Sequence, residues 1–269
     1  MQIHPQAIVH PKAKLADDVV VGPFCVVGEH VTIGKGTTLF SHVSVEGWTQ
    51  IGERCELHPF VSVGGPPQHL QYKGEPTRVV IGDDNILREY VTVNRATMQG
   101  GGETTLGSKN FLMAYVHVAH DCHLGSHLIL ANAASLAGHI TIGDHAIIGG
   151  LSGIHQFVRI GAYSMVGGCC ALGQDLPPFM RAAGGYRARM YGLNSVGLRR
   201  HGFSADRIAV LKRAYDLLFR SGHRTAEAAK LAKAEFNDQP DVMTVLAFLE
   251  GTKRGICRSV VHDQEPEDM

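Results

Sequence analysis

The strongest constraint on this chain is a six-residue repeat of aliphatic residues. From residue 106 to residue 172 every sixth position is Leu, Ile or Val, and the next position is often Gly or Ala. Neither the helix period of 3.6 nor the strand period of 2 produces a strict period of six. A parallel β-helix does, because each short flat segment points one side chain inward before the chain turns. The repeated positions are Leu106, Leu112, Val118, Leu124, Leu130, Leu136, Ile142, Ile148, Ile154, Ile160, Val166 and Leu172.

The same register starts at Ile3 and runs in phase to Val63. A polar segment at 64–80 interrupts it and keeps its phase, whereas a second segment at 94–104 shifts the phase by one residue. Three hexapeptides make one coil, so the inward residues of successive coils stack into a continuous core. The sequence therefore predicts a β-solenoid domain at 1–186, and its two loops are the expected places for function. Small residues are expected at the corners, where Gly also permits positive φ.

From about residue 190 the pattern becomes helical, which predicts a small α-helical C-terminal domain at 187–269. Its apolar residues recur at helical spacing in three segments. The tail after about 258 has the composition of a frayed terminus. The expected helix signals are Ser204 as an N-cap followed by Gly222 as a stop, Thr225 as a second N-cap, and Pro240 in the first turn of a helix that ends at Gly251.

Composition and charge exclude several classes of function. The chain has 25 basic and 25 acidic residues. This balance argues against bulk binding to nucleic acid or to a membrane surface, so no nucleic-acid partner is expected. Six cysteines without a CxxC pair indicate free thiols in a reducing cytoplasm. The N-terminus does not resemble a signal peptide, and no apolar stretch is long enough to span a bilayer. We therefore expect a cytoplasmic protein with no membrane span.

Residues 18 apart should share one column on one face of such a solenoid. His120, Gly138 and Gln156 form one column. His120 is two residues past an inward position, so it should point outward or lie at a corner. Beside Asp121 it is a candidate general base, because imidazole titrates near neutral pH. A Gly one coil above could offer its backbone N–H to an oxyanion.

A metal site is the alternative interpretation of the dense histidine segment. His117 and His123 are six residues apart, so they should lie on different faces and could share zinc only across a subunit interface. No metal is therefore expected. The run of glycines at 100–102 does not follow a strand-to-helix pattern, so it is not predicted to be a phosphate loop.

Six short motifs follow one another along this solenoid: GEPTR (74–78), HVAHDCHLG (117–125), LAGH (136–139), HQF (155–157), MVGG (165–168) and RRHGFS (199–204). Their order is similar to that in the UDP-N-acetylglucosamine O-acyltransferases of lipid A biosynthesis. The resemblance implies a left-handed parallel β-helix, an exception to the usual right-handed crossover. It also implies a homotrimer with active sites between subunits. The implied reaction transfers a (R)-3-hydroxyacyl chain from acyl carrier protein to the 3-hydroxyl of UDP-N-acetylglucosamine, with no cofactor.

The resemblance also implies roles for individual residues. His120 would be the general base, Asp121 would orient it, and Gly138 would donate its N–H to the oxyanion. Gly168 would limit acyl length, and a Gly there leaves room for a long chain. The remaining substrate-binding positions would be Gln68, His117, His139, His155, Gln156, Asn194 and Arg200. Candidates for docking the acidic carrier protein are Arg159, Arg181, Arg187, Arg189, Arg199 and Arg200.

Several residues depart from the pattern of the relatives. Losing a Lys and a Glu near the sugar nucleotide leaves a 3-amino-3-deoxy sugar, and hence an amide product, as an alternative. The departing residues are His69, Gln71, Asn94, Ala96, Val196 and His201.

Other interpretations of a hexapeptide solenoid are the N-acyltransferase of the same pathway, a small-molecule acetyltransferase, a zinc-dependent carbonic anhydrase and a purely structural solenoid. The N-acyltransferase usually adds a domain before its solenoid, whereas here the repeat starts at residue 3. A structural solenoid tends to repeat one outward residue type. The outward positions 114, 120, 126, 132, 144 and 156 carry six different residue types.

Overall fold

A computed structural model describes residues 1–259 of the chain. Its main body is a left-handed parallel β-helix of three stacked sheets, which confirms the predicted β-solenoid. The sheets are named by their number of strands. The eleven-stranded sheet contains, in spatial order, β1 (Gln2–Ile3), β4 (Val20–Val21), β7 (Thr38–Leu39), β10 (Glu56–Leu57), β13 (Ile86–Leu87), β16 (Phe111–Leu112), β19 (Ile129–Leu130), β22 (Ile147–Ile148), β25 (Met165–Val166), β27 (Met180–Ala183) and β28 (Arg189–Leu193).

The other two sheets form the remaining sides of the prism. The nine-stranded sheet contains β2 (Ile8–Val9), β5 (Val26–Val27), β8 (Ser44–Val45), β11 (Ser62–Gly65), β14 (Thr92–Asn94), β17 (His117–Val118), β20 (Ser135–Leu136), β23 (Gly153–Ile154) and β26 (Ala171–Leu172). The eight-stranded sheet contains β24 (Arg159–Ile160), β21 (Thr141–Ile142), β18 (His123–Leu124), β15 (Glu103–Leu106), β12 (Arg78–Ile81), β9 (Trp48–Ile51), β6 (Thr32–Ile33) and β3 (Lys14–Leu15).

The predicted inward register is confirmed by the strand pairing. Val118 pairs with Leu136, and Leu136 pairs with Ile154 one coil further on. All three side chains are at most 2% exposed. The second residue of each two-residue strand thus faces a continuous apolar core, whose burial provides the main driving force for folding.

The prediction that small residues occupy the corners was wrong. Left-handed φ values are found mainly at residues with large side chains, such as His139 (φ 62°) and Phe157 (φ 66°). The small residues after the inward positions have a different cause. A Cβ on Gly143 would lie 2.6 Å from the backbone nitrogen of Ala162 in the next coil. Small residues are therefore required by the close stacking of coils rather than by positive φ.

The C-terminal region contains four helices, which pack on the end of the solenoid: α1 (Ser195–Arg200), α2 (Ala205–Phe219), α3 (Thr225–Glu235) and α4 (Pro240–Glu250). Ser204 caps α2 by accepting from the Arg207 N–H, and Pro240 begins α4, as predicted. Thr225 is the first residue of α3 rather than its cap, because Arg224 holds that position without a side-chain bond.

The expectation of helix from about residue 190 was wrong for its first residues. They form β28, which pairs antiparallel with β27 and extends the eleven-stranded sheet to Leu193. The proposed division at 186–187 falls within this hairpin. The expectation of a frayed tail falls mainly outside the described residues. None of the helices within residues 1–259 is long and apolar enough to cross a membrane.

Candidate active site

His120 lies at the corner between the nine-stranded and eight-stranded sheets, after β17 and before β18. Its side chain is 11% exposed, so the imidazole is outside the apolar core yet largely covered. The next residue, Asp121, has a left-handed φ of 60°, which turns the chain and brings the two side chains together. His120 Nδ1 lies 2.7 Å from Asp121 Oδ2.

The carboxylate of Asp121 is fully buried and receives several donors. The Thr97 N–H donates to Oδ1 at 2.9 Å, and the Thr97 hydroxyl donates to Oδ2 at 2.8 Å. Because a carboxylate only accepts, the short contact to His120 places a proton on Nδ1. Nε2 of His120 is then left with a lone pair, which is the form that a general base requires.

Two further imidazoles surround this pair. The rings of His69 and His139 lie 5.4 Å and 5.2 Å from the His120 ring, each edge to face. His139 Nε2 is 3.6 Å from Asp121 Oδ2. Burial lowers the pKa of His139, and Asp121 only partly opposes that effect. The lowered pKa favours the neutral form of His139, so this ring adds little positive charge beside His120.

Gly138 lies one coil above His120, as the column argument predicts. A Cβ at this position would lie 2.6 Å from His120 Cε1, so no larger residue fits without moving the ring. Gly138 accepts a hydrogen bond from the Phe157 N–H at 3.1 Å. Its own N–H has no acceptor within residues 1–259 and is therefore available to a bound group.

A groove of about 540 Å³ runs along the outer face of the nine-stranded sheet, from His117 towards Arg187. Its floor consists mainly of small residues and exposed parts of apolar residues, including Gly153 and Ala171. His117 binds the Thr92 hydroxyl through Nδ1 at 2.7 Å. Burial, and then the neighbouring His120, lower the pKa of His117. The groove can therefore hold a chain-like apolar group whose reactive end lies near His120.

Beyond this groove is a second cavity of about 340 Å³. Its lining includes the guanidinium-bearing side chains of Arg187, Arg189 and Arg258, together with Gln174. The groove and the cavity share Gly173 and Arg187. Three arginines at one end of an apolar channel favour a ligand with an anionic group at the end of an apolar chain.

The other predicted site residues are distributed around the molecule. Exposed Gln68 is on the 64–80 loop next to His69, whereas exposed Gln156 precedes Phe157, whose ring stacks on His139 at 4.5 Å. His155 lines the groove, and its Nδ1 lies 3.2 Å from the Gln156 carbonyl oxygen. Gly168 is exposed, and an added Cβ there would meet only backbone of Gly150 at 3.4 Å or more.

Asn194 and Arg200 are not brought to His120 within one chain. Both belong to the α1 region, which packs at the corner between the eight-stranded and eleven-stranded sheets. There the His201 ring lies edge to face against His145 and Tyr163. Asn194 is 5% exposed, caps α1 through Gly197 and donates to the Tyr163 carbonyl. Arg200 is exposed.

The histidine segment contains a group of potential metal ligands whose carboxylate is already hydrogen-bonded. Within residues 1–259, His120, Asp121 and His139 are a group whose ligand atoms lie close enough to share an ion. Both oxygens of Asp121 already accept hydrogen bonds, one of them from His120 itself. His117 and His123 lie on different sheets, as predicted.

Neighbouring Cys122 is not suited to act as a nucleophile. Burial raises the pKa of the Cys122 thiol to about 12, and its Sγ donates to the Ala137 carbonyl. A thiolate, rather than a thiol, is the reactive form. The geometry therefore favours direct transfer over a covalent intermediate on this residue.

The sequence did not indicate a role for Thr97 or Arg95, which lie in the 94–104 loop and support the site, Thr97 through Asp121 and Arg95 through the 64–80 loop. Arg95 is 8% exposed, donates to the Gly64 carbonyl at 2.9 Å and to the Tyr72 hydroxyl at 3.0 Å, and so holds the loop that carries His69. The available sequence signal was only that an Arg closely follows the end of the repeat at Val93, since its burial and its hydrogen bonds are visible only in the structure.

This chain is similar to several known proteins. The family model described as UDP N-acetylglucosamine O-acyltransferase, domain 2, matches residues 175–257. The acyl-[acyl-carrier-protein]–UDP-N-acetylglucosamine O-acyltransferase of Thermodesulfovibrio yellowstonii is 54% identical over 96% of this chain and 99% of its own length. The enzyme of the same name from Syntrophobacter fumaroxidans is 47% identical over 96% of this chain and 100% of its own length.

Solved structures agree with these relatives. The UDP-N-acetylglucosamine acyltransferase from Campylobacter jejuni is 40% identical, with a TM-score of 0.91 over 96% of this chain and 100% of its own. The O-acyltransferase from Moraxella catarrhalis is 42% identical, with a TM-score of 0.90 over the same shares. The left-handed β-helix and these relatives together place the chain in the class of hexapeptide-repeat acyltransferases. Within that class, the chain belongs to the UDP-N-acetylglucosamine O-acyltransferase family.

Proposed function

We propose that this protein transfers a (R)-3-hydroxyacyl chain from acyl carrier protein to the 3-hydroxyl of UDP-N-acetylglucosamine, the first step of lipid A biosynthesis. The single observation that carries this assignment is the contact of His120 with the buried carboxylate of Asp121 in a family whose members are named for this reaction. The amide-forming alternative is not favoured, because the relatives are named for O-acylation.

The reaction follows from the geometry of the pair. Nε2 of His120 takes the proton of the sugar hydroxyl as that oxygen attacks the thioester carbonyl. Asp121 orients the imidazole and balances the charge it acquires. The N–H of Gly138 donates to the oxyanion of the tetrahedral intermediate. Collapse of the intermediate forms the ester and expels the carrier's sulfur, which receives the proton from His120.

The donor is proposed to occupy the groove and the cavity lined by arginines. The acyl chain lies against the nine-stranded sheet, where His117 and His155 face it and exposed Gly168 leaves room for a long chain. Arg187 and Arg189 meet the acidic carrier protein, whose charge complements them. Gln68, His139 and Gln156 contact the acceptor sugar next to the base.

A homotrimer is proposed because one chain separates the two halves of the acceptor site. His120 is at one edge of the eight-stranded sheet, and the α1 residues Asn194 and Arg200 are at the other. Packing of three copies around a threefold axis brings the first edge of one protomer to the second edge of its neighbour. Arg200 can then bind the diphosphate bidentately. We also propose a cytoplasmic location, where the six free cysteines stay reduced.

The test is the substitution His120→Ala. Loss of a general base lowers turnover by about 10²–10⁴-fold. The control is His123→Ala, which removes an exposed imidazole three residues away on the other sheet. Product formation from acyl carrier protein thioester and UDP-N-acetylglucosamine is measured for both variants. Turnover of folded His120→Ala within a few-fold of the parent would refute the assignment of the base.

A further inference from the structure

The 94–104 loop contains a buried threonine that contacts the proposed catalytic pair. Thr97 is 3% exposed and lies between β14 and β15. Its N–H and hydroxyl donate to the two oxygens of Asp121, at 2.9 Å and 2.8 Å. The oxygen that accepts from the hydroxyl, Oδ2, also lies 2.7 Å from His120 Nδ1. One carboxylate therefore joins the loop to the base.

The loop backbone is shaped to make this approach. The Gly100 N–H donates to the Thr97 hydroxyl at 3.1 Å, which leaves the hydroxyl proton directed at Asp121. The Gly102 N–H donates to the Thr97 carbonyl at 2.9 Å. A Cβ on Gly100 would lie 2.0 Å from Asp121 Cγ, so only Gly lets the loop close over the carboxylate. Gly100, the first residue of the glycine run at 100–102, is thus explained by the close approach of the loop to Asp121.

Without these donors the carboxylate would have a competing partner. His139 Nε2 is already 3.6 Å from Oδ2, and the carboxylate can rotate about its own side-chain bonds. We propose that Thr97 is a positioning residue for the reaction: it fixes the rotation of Asp121, which in turn keeps the proton of His120 on Nδ1 and the lone pair on Nε2. This inference rests on the proposed role of His120 as general base.

The test compares Thr97→Val, which removes the hydroxyl at nearly constant shape, with Thr97→Ser, which keeps it. We expect Thr97→Val to lower kcat about 10- to 100-fold, the range for losing one hydrogen bond to a charged group. The KM for UDP-N-acetylglucosamine should change little, because Thr97 is buried and does not contact the acceptor. Thr97→Ser should recover most of kcat. The matched control is Thr77→Val, because the buried Thr77 hydroxyl has no polar partner within residues 1–259.

A spectroscopic measurement separates positioning from simple destabilisation. Two-dimensional ¹H–¹⁵N spectra of histidine-labelled protein report which imidazole nitrogen carries the proton, and the His120 signals are assigned by their loss in His120→Ala. We expect one Nδ1–H tautomer in the parent and in Thr97→Ser, and a mixture of tautomers in Thr97→Val.

Two results would overturn the inference. One is a kcat of Thr97→Val within twofold of the parent. The other is a His120 tautomer in Thr97→Val that is unchanged from the parent, whatever the kcat of that variant. An active His120→Ala would instead refute the proposed function, and the tautomer measurement would still report on Thr97.

Discussion

At the scale of single residues, the site depends on backbone that comes unusually close to a side chain. Gly138 illustrates this, because its missing Cβ is what leaves room for the His120 ring. The three nearest atoms to an added Cβ all belong to that ring, at 2.6 to 3.0 Å. The ring is held by Asp121 on one side and faces His69 and His139 on two others, so it cannot move freely.

The substitution Gly138→Ala should therefore displace the base without unfolding the protein. A shift of about 1 Å in a reacting group can cost on the order of 10²-fold in rate. We expect a loss of kcat of that size and a melting temperature within a few degrees of that of the parent. The control is Gly185→Ala, where an added Cβ meets no atom within 4 Å. Parent-like turnover of Gly138→Ala would show that the ring position is not critical.

The sequence predicts that His120 and Gly138 share a column, but it does not predict the loop contacts that hold His120 in place. A period of 18 places His120 below Gly138, and the structure confirms that arrangement. Thr97 is 24 residues from Asp121 and lies in a loop that breaks the repeat, so no periodicity links the two. The contact between His69 and His120 depends in the same way on the path of the 64–80 loop. Contacts made by irregular loops are set by their three-dimensional course, which spacing does not encode.

At the scale of structural elements, the corners carry most of the unexpected features. Aromatic rings stack along the corner beside α1, where His127, His145 and Tyr163 lie 4.6 and 4.7 Å apart between neighbouring centroids. The six-residue repeat marks the inward positions, because burial in the core favours aliphatic residues there. It did not identify these columns, because stacking between exposed or half-buried rings tolerates His, Phe and Tyr alike.

His145 in this column makes stability depend on pH. Burial lowers the pKa of His145 below its ordinary value of 6.5, and the neighbouring His127 and His201 add to this effect, whereas Asp144 opposes it. Its Nδ1 has no hydrogen-bond partner within residues 1–259. Below the ordinary pKa the unfolded chain binds more protons than the folded chain, so stability falls as pH falls. Partly buried His117 and His139, whose pKa values burial also lowers, contribute in the same direction.

We expect His145→Phe to reduce this acid sensitivity, because phenylalanine already occupies equivalent corners at Phe157 and Phe179 with similar φ. The variant should melt near the parent temperature at about pH 7.5 and above it at about pH 5. Exposed His223, replaced by Gln, is the control and should leave the difference between the two conditions unchanged. An equal fall in melting temperature for His145→Phe and the parent would contradict the prediction.

At the scale of the whole molecule, the prism separates two groups of residues that the proposed acceptor site uses together. The base is at one corner, the α1 residues are at another, and the eight-stranded sheet lies between them. A rigid solenoid with a packed core cannot fold these corners together. Either the acceptor is bound at one corner only, or neighbouring protomers complete the site. The sequence could not decide this, because hexapeptide spacing describes one chain and not its packing with copies.

Mixed assemblies of His120→Ala and Arg200→Ala protomers distinguish these possibilities. If each site takes His120 from one protomer and Arg200 from its neighbour, a trimer that contains both kinds of chain keeps both residues intact at about one site in three. If each site lies within one protomer, every site has one defect and no activity returns. Co-expressed chains carrying different tags are purified through both tags and assayed at low UDP-N-acetylglucosamine. Separately assembled proteins, combined without subunit exchange, provide the control and should stay inactive. Recovery of activity only in the co-assembled sample would support the shared site, and its absence in verified mixed trimers would contradict it.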